Sequence, residues 1–184
     1  MEAIYVDKRI GNIIIQTPGG TAAKGSKTYK VSLPSSWIKE LGIDAEDRQV
    51  ELSFDGKTIT ISKRLTLSEF ISQKSKAGHA LLQFFYYDGD ILCSLVAADF
   101  TDQTLCAEND VSDMIKTAFG NNEAPTWDDF QNFLEERCIP RARAGLREYL
   151  EALGLDKYDP LEIIKKTSGR MAEDNQWIKI KVIS

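Results

Sequence analysis

Between Tyr29 and Arg64 the hydrophobic pattern changes period twice, from strand to helix and back to strand, and no other stretch limits the fold so tightly. Tyr29, Val31 and Leu33 alternate with Lys30 and Ser32, so the two sets lie on opposite faces of a strand. Pro34 stops that strand and suits the first turn of a helix, where its missing N–H costs nothing. Trp37, Ile38 and Leu41 recur at helical spacing over barely two turns, and Gly42 is placed to close the helix in a left-handed conformation. VELSF and TITIS then flank Asp55-Gly56, a strong two-residue hairpin signal. The predicted unit is βαββ.

The residues that carry this pattern are Val31, Leu33 and Pro34, then Trp37, Leu41, Gly42 and Ile43, then Asp47, Val50, Leu52, Asp55, Gly56, Ile59 and Ile61. Together they resemble the N-terminal half of the AbrB/SpoVT and MazE-like swapped-hairpin family, over a quarter to a third of the chain. The resemblance implies a small bacterial β-barrel that dimerises by exchanging hairpins and binds double-stranded DNA. It places Lys30 and Lys39, and Lys24 with them, where the family has DNA-contacting basic residues; Lys27 completes the basic set. Lysines hold phosphate as point charges, which suits backbone anchoring more than base reading. The departure is Ile38, where many DNA-binding members carry a second basic residue, so a fold kept only for dimerisation is the alternative. Size points the same way: a βαββ unit of about 45 residues buries too little surface to be stable without a partner chain.

Ahead of this unit, Ile10 to Gln16 reads as a strand, followed by a glycine-rich connection, TPGGTAAKGSK, longer than the usual family hairpin. A second placement of the family's first strand, at Thr21 to Lys24, stays open. Charge divides the chain. Residues 1–64 carry ten Lys and Arg against eight Asp and Glu, whereas residues 65–184 carry thirteen against twenty. A weakly basic reader attached to an acidic body fits this asymmetry, as do two merely solvated surfaces. MEAIYVDKRIGN has no apolar core long enough for an export signal, and the longest apolar runs are too short to span a bilayer, so a cytoplasmic protein without membrane contact is expected. Cys93, Cys106 and Cys138 are odd in number and lack CxxC spacing, so no disulfide framework, zinc site or other cofactor is expected.

The expected fold class is α+β: the swapped-hairpin domain over residues 1–64, a helical or irregular linker over 65–79, and a mixed hairpin-plus-helix domain over 80–184. Asp88-Gly89 sits between two apolar runs and marks a second hairpin. Thr126 caps a helix from Trp127 to Arg137, with Asp129 completing a capping box. Pro140 is read as opening a further helix to Leu153, a short helix follows Pro160, and WIKIKVIS reads as a strand. This half, above all the segment from Phe133 to Ile180, resembles an uncharacterised domain of bacterial mobile-element proteins, some encoded near toxin-like kinases. That resemblance implies a setting rather than an activity.

Partner contacts in this half are expected at Arg143, Arg147, Arg170 and Trp177. The first two belong to the run Arg137, Arg141, Arg143, Arg147, which surface ion pairs could equally absorb. Trp177 and Arg170 are preferred interface anchors, with inward packing as the alternative. His79 has no second histidine or nucleophile near it in sequence, and no nucleotide-binding or hydrolase motif is present, so no catalytic residue is assigned and an enzyme is not expected. The resulting expectation is a homodimeric DNA-binding transcriptional regulator, in an antitoxin version capping a toxin through its C-terminal half. The competing class is a mobile-element inhibitor, anti-CRISPR-like, whose acidic half binds a host protein.

Overall fold

The computed structural model describes residues 6–17 and 26–183. It is α+β, built from small antiparallel sheets, and divides at the Arg64–Leu65 junction into two compact units.

In the first unit, strand β1 (Ile13–Gln16) pairs antiparallel with β2 (Thr28–Val31). Ile13 lies opposite Val31 and Ile15 opposite Tyr29, whereas Lys30 lies opposite Ile14, so the alternation read from the sequence is the alternation of the ribbon. The alternative strand at Thr21 to Lys24 falls outside the described residues. Pro34 precedes helix α1 (Ser35–Glu40), and Gly42 follows it at φ +68°. Strands β3 (Val50–Phe54) and β4 (Ile59–Lys63) form the expected hairpin, but its loop has four residues rather than two. The Asp55 carboxylate accepts the backbone N–H groups of Lys57 at 2.8 Å and Thr58 at 2.7 Å, which stabilises the longer turn. The two ribbons remain separate two-stranded sheets, so no barrel closes among the described residues of one chain. None of the described residues of this unit is buried. Trp37, which the helical spacing would put in a core, is only half-buried and donates its indole N–H to Asp7 at 2.9 Å.

The second unit is organised on a four-stranded antiparallel sheet in the order β7-β6-β5-β8, from β5 (Leu81–Asp88), β6 (Ile91–Asp99), β7 (Thr104–Asn109) and β8 (Gln176–Ile183). The β5–β6 hairpin turns at Gly89 and Asp90, and Cys93 is the unpaired residue of a bulge between Tyr86 and Tyr87. Side chains of one sheet face, Phe84, Tyr86, Val96, Ala98 and Ile178, pack against three helices: α3 (Trp127–Glu136), α4 (Leu146–Leu153) and α5 (Pro160–Thr167). Phe130, Leu134, Ile163 and Ile164 complete that core, with Phe84 and Phe130 edge to face at 5.1 Å. The Thr126–Asp129 capping box starts α3 as expected, and Asp159 with Pro160 starts α5.

Residues 65–79, expected as a helical or irregular linker, hold a capped helix, α2 (Leu67–Lys76), which belongs to the second unit: its buried Leu67 and Phe70 pack on Ala97 of the opposite sheet face. The helix expected from Pro140 begins only at Leu146. Arg143 N–H bonds the Pro140 carbonyl in a turn, and Gly145 at φ +79° breaks the helical path just before α4. Arg143 and Arg147 are therefore not successive turns of one helix. No helix among the described residues is long and apolar enough to cross a membrane.

Candidate nucleic-acid interface

Of the four lysines singled out in the sequence, Lys24 lies outside the described residues. Lys27 stands just before β2, Lys30 on β2, and Lys39 in the last turn of α1; all three are exposed and make no ion pair among the described residues. Lys30 shares its ribbon face with Ile14, Gln16 and Thr28, opposite the apolar set of Ile13, Ile15, Tyr29 and Val31. Lys39 borders a shallow depression of about 420 Å³ lined by Leu33, Ile38 and Ile43. Lys39 thus sits beside apolar surface that the single chain leaves open, and Lys30 lies on the ribbon face away from the main apolar set.

The residues proposed for partner contacts fall into two groups. Arg147 pairs with Glu151 one turn on, at 2.8 Å, with both side chains well exposed, and Arg143 stands exposed in the turn before α4. An exposed i,i+4 pair contributes about 0.3–0.5 kcal/mol, so Arg147 is an ordinary surface charge. Arg170 and Trp177 are brought together: the guanidinium lies 4.9 Å from the indole, which also stacks on Tyr87 at 4.4 Å and donates its N–H to the Gly89 carbonyl at 2.7 Å. Trp177 is half-buried, on the sheet face away from α3 to α5.

Arg137, read from sequence as one of a surface run, is buried and has a different role. Its Nε and Nη2 donate to the Gly169 carbonyl at 3.0 and 2.8 Å, its two Nη groups grip Asp174 at 2.6 and 3.0 Å, and Nη2 also reaches the Gln176 carbonyl at 3.0 Å. The Arg137 hydrogen bonds hold the Asp174 carboxyl below its ordinary value despite some burial. Tyr86 donates its hydroxyl to Gln176 beside this knot, and burial pushes it up to about 12. The end of α3 is thereby tied to the start of β8.

A second charged cluster went unread because its members are far apart in sequence. Asp99 is fully buried; it accepts from His79 Nδ1 at 2.8 Å, from Lys74 Nζ at 2.9 Å and from the Thr101 N–H at 2.9 Å. Burial alone would raise its carboxyl, but these donors outweigh it and hold Asp99 at about 2. With Asp102, these residues place three potential metal ligands within 4.8 Å of one another. The Lys74 ammonium, 2.7 Å from Asp102, already supplies the positive charge between the carboxylates, so the cluster works as an ion-paired clasp for the end of α2. Leu67 N–H, donating to Glu108 at 2.7 Å, fastens the other end of that helix to β7. None of the three cysteines is in a disulfide; Cys93 and Cys138 are buried, and burial pushes the Cys138 thiol up to about 12, which suppresses thiolate chemistry at neutral pH.

Comparison of the chain with protein-family models, curated proteins and solved structures found no match.

Proposed function

We propose that the chain is a homodimeric DNA-binding regulator whose N-terminal unit is completed by a second copy in the swapped-hairpin manner. The observation that carries this reading is the absence of any buried residue among those described in the first unit. Ile13, Ile15, Tyr29, Leu52, Phe54 and Ile59 are each 60% or more exposed, on strands whose alternation is that of half-buried sheets. A two-stranded ribbon is marginal alone in water, and two separate ribbons with one short helix do not make a core. A second chain of the same pattern supplies matching apolar faces and closes the isologous assembly that two-fold symmetry favours. Such closure leaves the polar faces outward, with Lys30 and Lys39 doubled across the dimer. The C-terminal unit would then serve as the partner- or effector-binding part.

The test is duplex binding by the full chain as a function of salt. If Lys24, Lys30 and Lys39 of both copies meet phosphates, log K falls against log salt with a slope of about −5. Lys30→Ala or Lys39→Ala removes two charges per dimer and flattens that slope by nearly 2, about 0.9 per phosphate, with the circular dichroism unchanged. Arg143→Ala leaves it alone. A folded monomer at micromolar concentration, or loss of duplex binding in Arg143→Ala but not Lys30→Ala, refutes the reading. Stoichiometric capture of a host protein with no duplex affinity favours the inhibitor class, for which the acidic balance of residues 65–184 speaks.

A further inference from the structure

The sheet of the second unit has two faces: α3 to α5 cover one, and α2 packs on part of the other, leaving the aromatics of β5 and β8 there half-buried. Strand register defines that remaining half. On the face that carries α2, the β5–β8 pairs are Gln83 with Lys181, Phe85 with Lys179, and Tyr87 with Trp177. Across β5, the same face continues through Phe85–Leu95 and Gln83–Ala97 to the cluster that α2 buries with Leu67 and Phe70. Phe85, Tyr87 and Trp177 belong to neither hydrophobic cluster of the unit. Three aromatic side chains outside both clusters thus stand in two adjacent columns of the sheet.

On the β8 column of this face the charges are of one sign, whereas Glu108, in the same row across β6, is engaged by the Leu67 N–H. Lys179 and Lys181 are exposed and make no ion pair among the described residues, and the contact shown for the Arg170 guanidinium is the Trp177 ring. The two lysines are two residues apart on β8, about 7 Å along the strand, so they stand in file rather than in a cluster. This basic file occurs on a unit with thirteen Lys and Arg against twenty Asp and Glu, where a random surface patch would be acidic. Cations in file beside aromatic rings fit a polyanion that also offers flat apolar faces. Unpaired nucleobases on a phosphate backbone have both properties. A duplex hides its base faces, and an acidic peptide has none.

We infer that this half-face, Phe85, Tyr87 and Trp177 with Arg170, Lys179 and Lys181, binds single-stranded nucleic acid. Four-stranded sheets that bind RNA lay two or three bases on aromatic side chains of their open face while neighbouring cations hold the backbone. Here Phe85 is the seat for a base, the Tyr87–Trp177 stack with Arg170 over the indole borders it, and Lys179 and Lys181 are the phosphate contacts. The Tyr87–Trp177 stack and the Trp177 N–H to Gly89 carbonyl bond fix the indole before any ligand arrives, which lowers the ordering cost of binding. Stacking and charge are indifferent to the sugar, so DNA and RNA strands bind alike.

The inference does not rest on the duplex-binding reading, and the test separates the two. The full chain is titrated into fluorescein-labelled oligothymidylate and oligouridylate, and anisotropy is followed from about 0.05 to 0.2 M salt. Both bind, with affinities within about threefold of each other. The double variant Lys179→Ala, Lys181→Ala flattens the salt slope by about 1.4, at about 0.7 per phosphate on single strands. Phe85→Leu weakens binding by about tenfold without changing the slope, the loss of one stacked base. Lys30→Ala with Lys39→Ala leaves single-strand binding at the parent level whatever it does to duplex. No binding of either oligonucleotide, or a slope untouched by the double lysine variant, overturns the inference. So does oligoglutamate binding as tightly as oligothymidylate, which would assign the face to an acidic protein. Should Phe85→Leu fail to fold, the lysine variant, altered only at exposed positions, decides the matter alone.

Discussion

Replacing Arg137 by Met keeps most of the buried stem and removes the guanidinium. Six hydrogen bonds then vanish between the end of α3 and the segment from Gly169 to Gln176, to Gly169, Asp174 and Gln176. Removing one partner of a buried charge pair costs about 3–5 kcal/mol. The Asp174 side chain is 34% exposed, so water recovers part of its solvation and draws the figure to the low end of that range. The Gly169 carbonyl has no such relief, since Gly169 itself is buried, and an abandoned buried acceptor costs about 1–3 kcal/mol. The expected loss is about 3–4 kcal/mol. With a urea slope of about 2 kcal/mol/M for a unit of this size, the midpoint drops by about 1.5–2 M. Trp127 and Trp177 report on this unit alone in a Trp37→Phe background, which avoids treating a two-unit chain as one transition. Arg137→Lys keeps the charge but not the fork, so about half the loss is expected. A double-mutant cycle with Asp174→Asn should show strong coupling. An Arg137→Met midpoint within about 0.5 M of the parent would refute the account of this knot.

Asp99 gives a pH prediction. Its folded carboxyl titrates at about 2 against an ordinary 3.8, so in acid the unfolded chain takes up that proton first. The stabilisation, about 2–3 kcal/mol, is complete above about pH 4 and disappears between about pH 4 and 2. Asp99→Asn should be less stable at neutral pH and show a flatter acid limb in urea midpoints; an unchanged limb would sink the assignment. Gly169→Ala should lower the melting temperature by about 10 °C, from a left-handed residue that then carries a Cβ plus local crowding. The φ is +60°, and the added carbon would stand 3.3 Å from Arg137 Cβ and 3.4 Å from Ile178 Cδ1. Calorimetry showing no change would mean that the backbone there relaxes freely. Trp37→Ala should raise the dimer dissociation constant by more than about thirtyfold if a second copy covers the indole. Sedimentation equilibrium at the parent's constant would return Trp37 to an intrachain role.

Local signals were legible where one short segment decides the outcome. Thr126 and Asp129 announce α3, Pro160 announces α5, and the alternation of WIKIKVI announces β8. Strand β7, TLCAEN, escaped because its inward residues, Leu105 and Ala107, are separated by a cysteine and followed by Glu and Asn, too weak a pattern to read. Pro140 gave a sound helix-start signal that lost to a turn. The charged clusters were illegible for another reason. Asp99 meets a histidine 20 residues away and Arg137 an aspartate 37 residues on, so their burial is decided by tertiary pairing that local composition does not encode. The platform on β5 and β8 is of the same kind: each strand shows its aromatic and its lysines, but only the register sets Phe85 beside Lys179.

That register also orders the birth of the domain. Leu81 pairs with Ile183 across about a hundred residues, so a ribosome must finish β8 before the central strand β5 has its second neighbour. Until then the nascent sheet exposes a long unpaired edge, with Phe84 and Tyr86 half-covered, and Arg137 waits without Asp174. Such an intermediate is a target for chaperones and for strand-to-strand aggregation. Arrival of one segment then closes the edge, seats Ile178 in the core and neutralises the buried guanidinium together. The domain is therefore expected to acquire protease resistance in a single late step as synthesis proceeds, rather than helix by helix.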